Sequence, residues 1–190
     1  MQKVDVYYIK GKYPVFTTFL NHSSEEIRSI KERIIEYRKD NPKSNKSNVK
    51  AWHSHYQTHR LTDCFDNINL RILDGCNNIV KTFEETQDEL VLYDMWINMY
   101  EKGDYTDNHA HIGVKYSCCY YIDVEENCSP IKFPPDLEIN PKNDMIVLFD
   151  ASFRHEVPPT NGKRTLIAMN LKYPKRPTSP PNSPTYIQYS

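Results

Sequence analysis

The sequence predicts an α+β fold in which two helices support a strand-rich half that forms a double-stranded β-helix, or jelly roll. Two segments of the first half repeat apolar residues at helical spacing. After Glu89 the chain changes to short apolar and aromatic runs separated by Gly, Pro, Asn and Asp, a pattern typical of antiparallel strands. Helices followed by several such strands fit a jelly roll covered on one side by helices.

The first helix is predicted from the segment SSEEIRSIKERIIEYRKD, which begins at Ser23. Ser23 precedes Glu26 by three residues, the pattern of a capping box, in which each residue satisfies a free backbone N–H of the other. Apolar residues then recur at helical spacing at Ile27, Ile30 and Ile34. His22 is interpreted only as the residue that leads into this helix.

A second helix is predicted from about Asp63 to Phe83, where apolar residues repeat every three or four positions despite Gly75. Residues 41–48 lie between the two helices and contain no apolar residue, which predicts a loop. The helical support therefore covers about residues 23–83.

The strand-rich core is predicted over about residues 89–173, from the runs LVLYDMWINMY, KYSCCYYIDV, PIKF, MIVLF and TLIAMNLKY. A length of 190 residues suits one domain, and we expect this domain to span residues 1–173. Residues 174–190 carry five of the 13 prolines, with Ser and Thr between them, and predict a Pro-rich tail of extended chain. Such a tail also has the form of a ligand for a groove that binds extended chain.

Composition favours neither nucleic acid nor membrane as a partner, because 24 Lys and Arg against 25 Asp and Glu leave a formal net charge of -1. The amino terminus lacks the apolar run of a signal peptide, and no segment has the roughly 20 apolar residues of a membrane span. We therefore expect a cytoplasmic protein.

The five cysteines show no CxxC spacing and are interpreted as thiols that serve packing.

Three histidines of the strand-rich half predict a metal site. His109 and His111 are two positions apart, so that both can point to one side of an extended segment, and His155 follows 44 positions later. Imidazole suits iron, and a centre with three protein ligands keeps positions open for other molecules. Arg164, nine residues after His155, offers a planar donor fork for a carboxylate.

These motifs resemble the iron(II)/2-oxoglutarate-dependent oxygenase superfamily, whose pattern is HxD, a distant His and an Arg about ten residues later. Within it the chain is similar to the prolyl-hydroxylase-like branch, and especially to a small oxygenase family of marine bacteria and their phages. The similarity covers about residues 90–171, including LFDASFRHEV. The positions that match the small family are Trp96, Asn98, Gly103, His109, His111, Ser117, Tyr120 and Tyr121.

The resemblance implies a dioxygenase that holds iron(II) by His109, His111 and His155 and uses dioxygen, with ascorbate as a candidate reductant. Arg164 would bind the remote carboxylate of 2-oxoglutarate, with a hydrogen bond from Tyr100 or Tyr121, and Asn98 could serve similarly. Decarboxylation of 2-oxoglutarate to succinate would be coupled to hydroxylation of a substrate. A peptidyl proline is the first substrate candidate, which makes a peptide or protein a candidate partner.

One departure from the family pattern concerns position 111, where this chain has His111 and the superfamily has a carboxylate. A centre of three histidines carries one negative charge less, which weakens binding of divalent metals. Asp107 is the alternative carboxylate, but it shares a strand face with His109 only if the strand starts that early, and the turn-like KGDYTDN argues against this. His111 is therefore the favoured ligand.

Two other readings of the chain stay open. It could be a metal-binding jelly roll without turnover, because of the missing carboxylate, or a protein-interaction module that keeps only the scaffold. A second histidine cluster, His53, His55 and His59, has spacing that could bind a metal, although packing or substrate contact is the default for these residues.

Overall fold

The computed structural model describes residues 3–45 and 47–174. Within these ranges it contains three helices, α1 (Ser24–Asp40), α2 (Thr58–Leu61) and α3 (Asp66–Glu84). The twelve strands are β1 (Asp5–Ile9), β2 (Tyr13–Phe19), β3 (Val49–Lys50), β4 (Trp52–His53), β5 (Val91–Tyr100), β6 (Tyr105–His109), β7 (Tyr116–Val124), β8 (Ile131–Phe133), β9 (Leu137–Ile139), β10 (Met145–Asp150), β11 (His155–Val157) and β12 (Arg164–Lys172).

The strands form two antiparallel sheets that pack face to face. The larger sheet has the order β1-β2-β10-β7-β12-β5-β4, and the smaller one has the order β3-β6-β11-β8-β9. Buried side chains of both sheets share one core; Phe133 of the small sheet and Phe149 of the large sheet, for example, lie 4.9 Å apart between ring centroids. Two packed antiparallel sheets together with these helices confirm the predicted α+β jelly roll.

The helices cover the outer face of the larger sheet. Apolar residues of α1 and α3, among them Ile34, Ile72 and Cys76, form a second core with side chains from β2, β5, β7, β10 and β12. Neighbouring strand residues point to opposite faces, so Tyr120 belongs to the helix side while Tyr121 faces the other sheet. This layer confirms the predicted helical support.

The first helix begins as the sequence predicts. The Ser23 hydroxyl accepts a hydrogen bond from the Glu26 backbone N–H at 3.2 Å, and the Glu26 carboxylate accepts one from the Ser23 N–H at 2.7 Å. This is a complete capping box. The second predicted helix is confirmed as α3, which starts three residues later than expected, at Asp66, and ends at Glu84.

Gly75 lies in the middle of α3 for a packing reason. A Cβ at this position would come within 2.9 Å of the Leu20 Cδ2 and 3.1 Å of the Ile146 Cδ1. The glycine therefore allows α3 to approach the larger sheet more closely than an alanine would.

Strands β1 to β4 precede residue 89 and were not among the predicted elements, so both sheets draw on the amino-terminal half as well. Three of them have partners distant in the chain: β2 pairs with β10, β3 with β6 and β4 with β5. Such pairings leave no local pattern, whereas β1 and β2 form a local hairpin around Gly11 that the prediction missed. The assignment of residues 1–173 to one domain and 174–190 to a tail remains a prediction, and residues 175–190 lie outside the described part of the chain.

All five cysteines are free thiols, as expected. No helix in the described residues combines the length and apolar character needed to cross a bilayer.

Candidate metal and co-substrate site

His109 and His155 come from neighbouring strands of the smaller sheet. They end β6 and begin β11 and stand opposite each other in the antiparallel register, with ring centroids 4.2 Å apart. Antiparallel pairing thus joins two residues that are 46 positions apart in the chain.

His111 lies just beyond the end of β6. Its backbone N–H donates to the Ala151 carbonyl at 2.8 Å, which ties this segment to the end of β10. One potential ligand atom from each of His109, His111 and His155 lies within 4.8 Å of the others, which is close enough to hold a metal ion. The three predicted metal residues are therefore brought together.

Hydrogen bonds orient two of the three imidazoles. The Nδ1 of His109 lies 2.8 Å from the Asp107 carbonyl, and the Nδ1 of His155 lies 3.0 Å from the Phe153 carbonyl. A carbonyl only accepts, so each Nδ1 carries the proton and each Nε2 keeps a free lone pair. This is how metal-binding histidines are usually held by their surroundings.

The surroundings also keep these rings neutral. Burial lowers the pKa of all three histidines, to about 4 for His111 and well below the ordinary value for His155. Mutual repulsion with His109 lowers the pKa of the other two further. At neutral pH the imidazoles are therefore available as ligands without first losing a proton.

Asp107 lies outside this group. The expectation that a turn keeps Asp107 out of the strand is wrong, because β6 starts at Tyr105. A bulge decides the matter instead: His155 pairs with His109 but Val157 pairs with Thr106, which gives β6 one residue more than β11. Thr106 and His109 consequently both line the cavity, whereas Asp107 is 55% exposed and lies 3.7 Å from the Lys50 ammonium.

Arg164 opens β12 at the far end of the same cavity and is only 1% exposed. Its Nη1 donates to the Ser129 carbonyl at 3.0 Å, and its guanidinium carbon lies 4.3 Å from the ring centroid of Tyr100 and 6.0 Å from that of Tyr121. Its Nε and Nη2 have no hydrogen-bond partner among the described residues. A buried donor without a partner is unfavourable, so these groups are suited to an added acceptor.

No protein carboxylate compensates this buried charge, since none of the described residues forms an ion pair with Arg164. The two tyrosines beside it are neutral, because burial raises the pKa of Tyr100 and Tyr121 above that of an exposed tyrosine. A buried cation without an anion is costly. The pocket around Arg164 therefore favours an anionic ligand that brings its own carboxylate.

One cavity of about 500 Å³ joins these groups between the two sheets. Arg164 is the only Lys, Arg, Asp or Glu among the described lining residues. Along β5, Tyr100 pairs with Arg164, Asn98 with Leu166 and Trp96 with Ala168, so all of these face the cavity in successive rows. Trp96 reaches the metal candidates, with its ring centroid 5.8 Å from that of His111.

The second histidine cluster does not form a metal site in the described structure, because only His109, His111 and His155 converge. His53 is nevertheless fully buried and lines the cavity, whereas His55 is exposed and accepts a hydrogen bond from the Gln57 N–H. Two further groups of the site were not predicted from the sequence: the Ser129 carbonyl beside Arg164, and the Thr106 hydroxyl, which lies 2.5 Å from the Tyr100 hydroxyl. Neither carries a pattern that would distinguish it in the sequence.

No family model matches this sequence, and no curated protein matches it either. Solved structures do match. The viral collagen prolyl hydroxylase vCPH from Paramecium bursaria Chlorella virus-1, a 2-oxoglutarate complex, is 15% identical with a TM-score of 0.59, and the match covers 85% of this chain and 97% of that one.

Two further structures are similar over comparable lengths. A prolyl hydroxylase from Trichoplax adhaerens, in complex with a hypoxia-inducible-factor peptide fragment, is 15% identical with a TM-score of 0.59 and covers 83% of each chain. HygX from Streptomyces hygroscopicus, with nickel and 2-oxoglutarate bound, is 12% identical with a TM-score of 0.57, covering 83% of this chain and 82% of that one. The chain therefore has the jelly-roll fold of the 2-oxoglutarate-dependent iron(II) oxygenases, prolyl hydroxylases among them.

Proposed function

We propose that this protein is an iron(II)/2-oxoglutarate-dependent dioxygenase that hydroxylates a C–H bond of its substrate. One observation carries the proposal: three neutral, converging imidazoles and a buried, uncompensated guanidinium line the same cavity. The imidazoles suit a metal ion, and the guanidinium suits a carboxylate of a dicarboxylate co-substrate.

His109, His111 and His155 would hold the metal. Three protein ligands leave the remaining coordination positions for a chelating co-substrate and for dioxygen. With the metal bound, the centre supplies the oxidising chemistry that couples decarboxylation of 2-oxoglutarate to succinate with hydroxylation of the substrate.

Arg164 would bind the remote carboxylate of 2-oxoglutarate. Its unpartnered Nε and Nη2 can donate two charge-assisted hydrogen bonds, and the Tyr100 and Tyr121 rings enclose the guanidinium and exclude water from it. The metal candidates and Arg164 line one cavity of about 500 Å³, which supports binding of a single molecule with a carboxylate at each end. Asn98 lies one row nearer to the metal candidates than Arg164.

A peptidyl proline is the first substrate candidate, because two of the structural neighbours are prolyl hydroxylases and one of them holds a peptide. The fold alone does not select a substrate.

The test is formation of succinate from 2-oxoglutarate by purified protein with iron(II), ascorbate and air. Substrate-free turnover makes this measurement possible before the substrate is known. We expect succinate from the wild type and a loss of about 100-fold or more in His155→Ala and in Arg164→Ala, since each removes a group that the reaction requires. The bound metal of each variant is measured as well. We expect His155→Ala to lose the metal and Arg164→Ala to retain it.

Matched controls come from residues of the same type outside the cavity. His55→Ala removes an exposed histidine, and Arg28→Ala removes a 68% exposed arginine of α1. Both should form succinate like the wild type. Equal succinate formation in Arg164→Ala and wild type would contradict the proposed role of Arg164.

A second candidate is a metal-binding protein without turnover, which the absence of a carboxylate from the three converging ligands favours. It predicts metal bound by the wild type and lost in His155→Ala, with no affinity for 2-oxoglutarate. Calorimetric titration of the zinc(II)-loaded protein with 2-oxoglutarate distinguishes the two, because the dioxygenase requires binding that depends on Arg164.

A further inference from the structure

Three aromatic rings, those of His53, Tyr56 and Trp96, line the same cavity. The His53 ring stacks on Trp96 with 5.8 Å between centroids and an interplanar angle of 11°, and Tyr56 packs edge-on against both. Cross-strand pairing with β5 places His53 opposite Asn98, two residues from Trp96. The same Trp96 ring contacts His111, so this group borders the candidate metal centre.

Two of these rings and the neighbouring Asn98 each have a polar atom that is buried and without a hydrogen-bond partner among the described residues. The atoms are the His53 Nε2, the Trp96 Nε1 and the Asn98 Oδ1, and the three residues are 0%, 5% and 4% exposed. Buried polar atoms are nearly always hydrogen-bonded in folded proteins. These three share the cavity with further unpaired atoms, the Asn48 Nδ2 and the Arg164 Nε and Nη2, and together they indicate missing partners. A ligand is the partner that a cavity can supply.

The hydrogen-bonding roles of two of these atoms are defined by chemistry. The His53 Nδ1 lies 2.5 Å from the Ser54 carbonyl, so it carries the proton and leaves Nε2 as an acceptor. Indole nitrogen can only donate. The pair therefore presents one donor and one acceptor, and the Asn98 Oδ1 adds a second acceptor.

The described side chains at this end of the cavity carry no charge. Arg164 is the only charged side chain among the described lining residues, and it belongs to the far end. Burial lowers the pKa of His53, which keeps that ring neutral at physiological pH. A carboxylate, phosphate or ammonium group would find no charged side chain here, whereas an uncharged group that both donates and accepts would satisfy the unpaired atoms.

We propose that His53, Trp96 and Asn98 form a subsite that binds an uncharged amide group of the molecule to be oxidised, beside the metal centre of the proposed dioxygenase. The amide C=O accepts from Trp96, and its N–H donates to His53 or Asn98. The inference rests on the proposed function and narrows its substrate class: an internal peptide segment or a carboxamide fits, whereas a free amino acid, a nucleotide or a fatty acid does not.

The indole N–H signals in a ¹H–¹⁵N NMR spectrum of the full chain provide a direct test, because the protein has two tryptophans. Trp52 is an internal control, since its Nε1 already donates to the Asn41 carbonyl at 3.1 Å. Three probes of equal size are titrated: isobutyramide, isobutyrate and 3-methyl-2-butanone. The ketone can accept from Trp96 but has no donor for His53, and isobutyrate is charged.

We expect isobutyramide to move the Trp96 signal in a saturable manner and to leave Trp52 in place. The other two probes should bind about tenfold or more weakly, because each leaves a buried acceptor unpaired. His53→Phe keeps a ring against Trp96 but removes Nε2, and it should weaken the binding of isobutyramide, since only the Asn98 Oδ1 then remains to accept from the amide N–H. Equal affinity for amide and ketone, or an unmoved Trp96 signal, overturns the proposal even if His53→Phe fails to fold.

The titration is made with and without zinc(II) and 2-oxoglutarate, so that the two proposals fail separately. An amide preference without any binding of 2-oxoglutarate contradicts the dioxygenase and retains the subsite. Binding of 2-oxoglutarate without an amide preference contradicts the subsite and retains the dioxygenase.

Discussion

At the scale of single residues, the charge of the metal ligands distinguishes this centre. His109, His111 and His155 are neutral, and the nearby Asp107 points away and lies near Lys50 instead. Three neutral nitrogens offer less electrostatic attraction to a divalent cation than two nitrogens and a carboxylate do. His111 is therefore the residue at which metal affinity is most directly tested.

We expect His111→Asp to raise the affinity for manganese(II) by about tenfold, because it adds a negative oxygen ligand, which manganese prefers. Free manganese(II) is measured by electron paramagnetic resonance during titration. His111→Asn has nearly the same size without the charge and should bind the metal more weakly than the wild type. Unchanged affinity in both variants would show that position 111 does not contact the metal.

At the scale of elements, different interactions hold the two long helices, α1 and α3, in place. The start of α1 depends on the capping box and on an ion pair between Glu26 and Arg71 of α3, 2.7 Å apart. The middle of α3 depends on close approach to the sheet at Gly75. Each interaction gives a separate prediction.

Glu26 should make the stability of the protein depend on pH. Hydrogen bonds from Ser23, together with the contact to Arg71, lower the pKa of Glu26 from 4.5 to about 2. A carboxyl group whose pKa is lower in the folded state stabilises that state above its unfolded pKa, and this contribution is lost as the pH falls from about 4.5 to about 2. Glu26→Gln should thus be less stable than the wild type at pH 7, with a difference that shrinks over this range.

Urea unfolding followed by circular dichroism at pH 7, 4 and 2.5 measures this difference. Glu25→Gln is the control, because Glu25 lies in the same helical turn but is 85% exposed. A difference between Glu26→Gln and wild type that stays constant with pH would contradict the capping contribution.

Gly75→Ala should destabilise the protein by roughly 1–3 kcal/mol, because an added methyl overpacks the contact with Leu20 and Ile146. Helix propensity alone predicts the reverse, a gain of about 1 kcal/mol. A double-mutant cycle with Leu20→Ala separates the two effects. With Leu20 shortened, the Gly75→Ala change should become neutral or stabilising; a loss of the same size in both backgrounds would exclude Leu20 as the cause.

At the scale of the whole molecule, a buried polar group joins the helical layer to the larger sheet. The His22 Nδ1 lies 2.7 Å from the Asp144 Oδ1, and the Tyr120 hydroxyl donates to the same oxygen at 2.9 Å. The Asp144 Oδ2 also accepts from the His22 backbone N–H. His22 is thus more than the residue that leads into α1: it ties the start of this helix to the turn before β10.

Asp144→Asn should lower the free energy of unfolding by about 1–3 kcal/mol, since it leaves one buried partner unsatisfied. Burial alone would raise the pKa of Asp144, but hydrogen bonds from His22 and Tyr120 lower it below 3.8, so the loss should be present at neutral pH and diminish in acid. Asp144→Ala should lose about 1 kcal/mol more, because φ is +64° here and alanine tolerates this conformation less well than asparagine. Thermal unfolding at pH 7 ranks the variants, and equal stability of Asn and Ala would contradict the backbone argument.

The predictions from sequence were most accurate where the pattern is local. The capping box at Ser23, the apolar repeat of α3 and the alternation of Tyr120 and Tyr121 each depend on neighbours in the chain, and the structure shows all three. Strands β2, β3 and β4 pair with strands distant in the sequence, which leaves no local pattern. The hairpin of β1 and β2 around Gly11 is a local signal that the prediction missed. The outward position of Asp107 depends on a bulge, which exists only between two paired strands.

The sequence by itself determined the fold class and the residues that could bind a metal and a carboxylate, because residue type and periodicity are properties of the chain. Only the tertiary structure decided which of these groups meet. Pairing of β6 with β11 brought His109 to His155, and packing of the sheets buried Arg164 without an anion. Pairing of β4 with β5 placed His53 against Trp96, while His55 stayed at the surface. Burial and convergence are long-range properties, since they depend on where the rest of the chain packs.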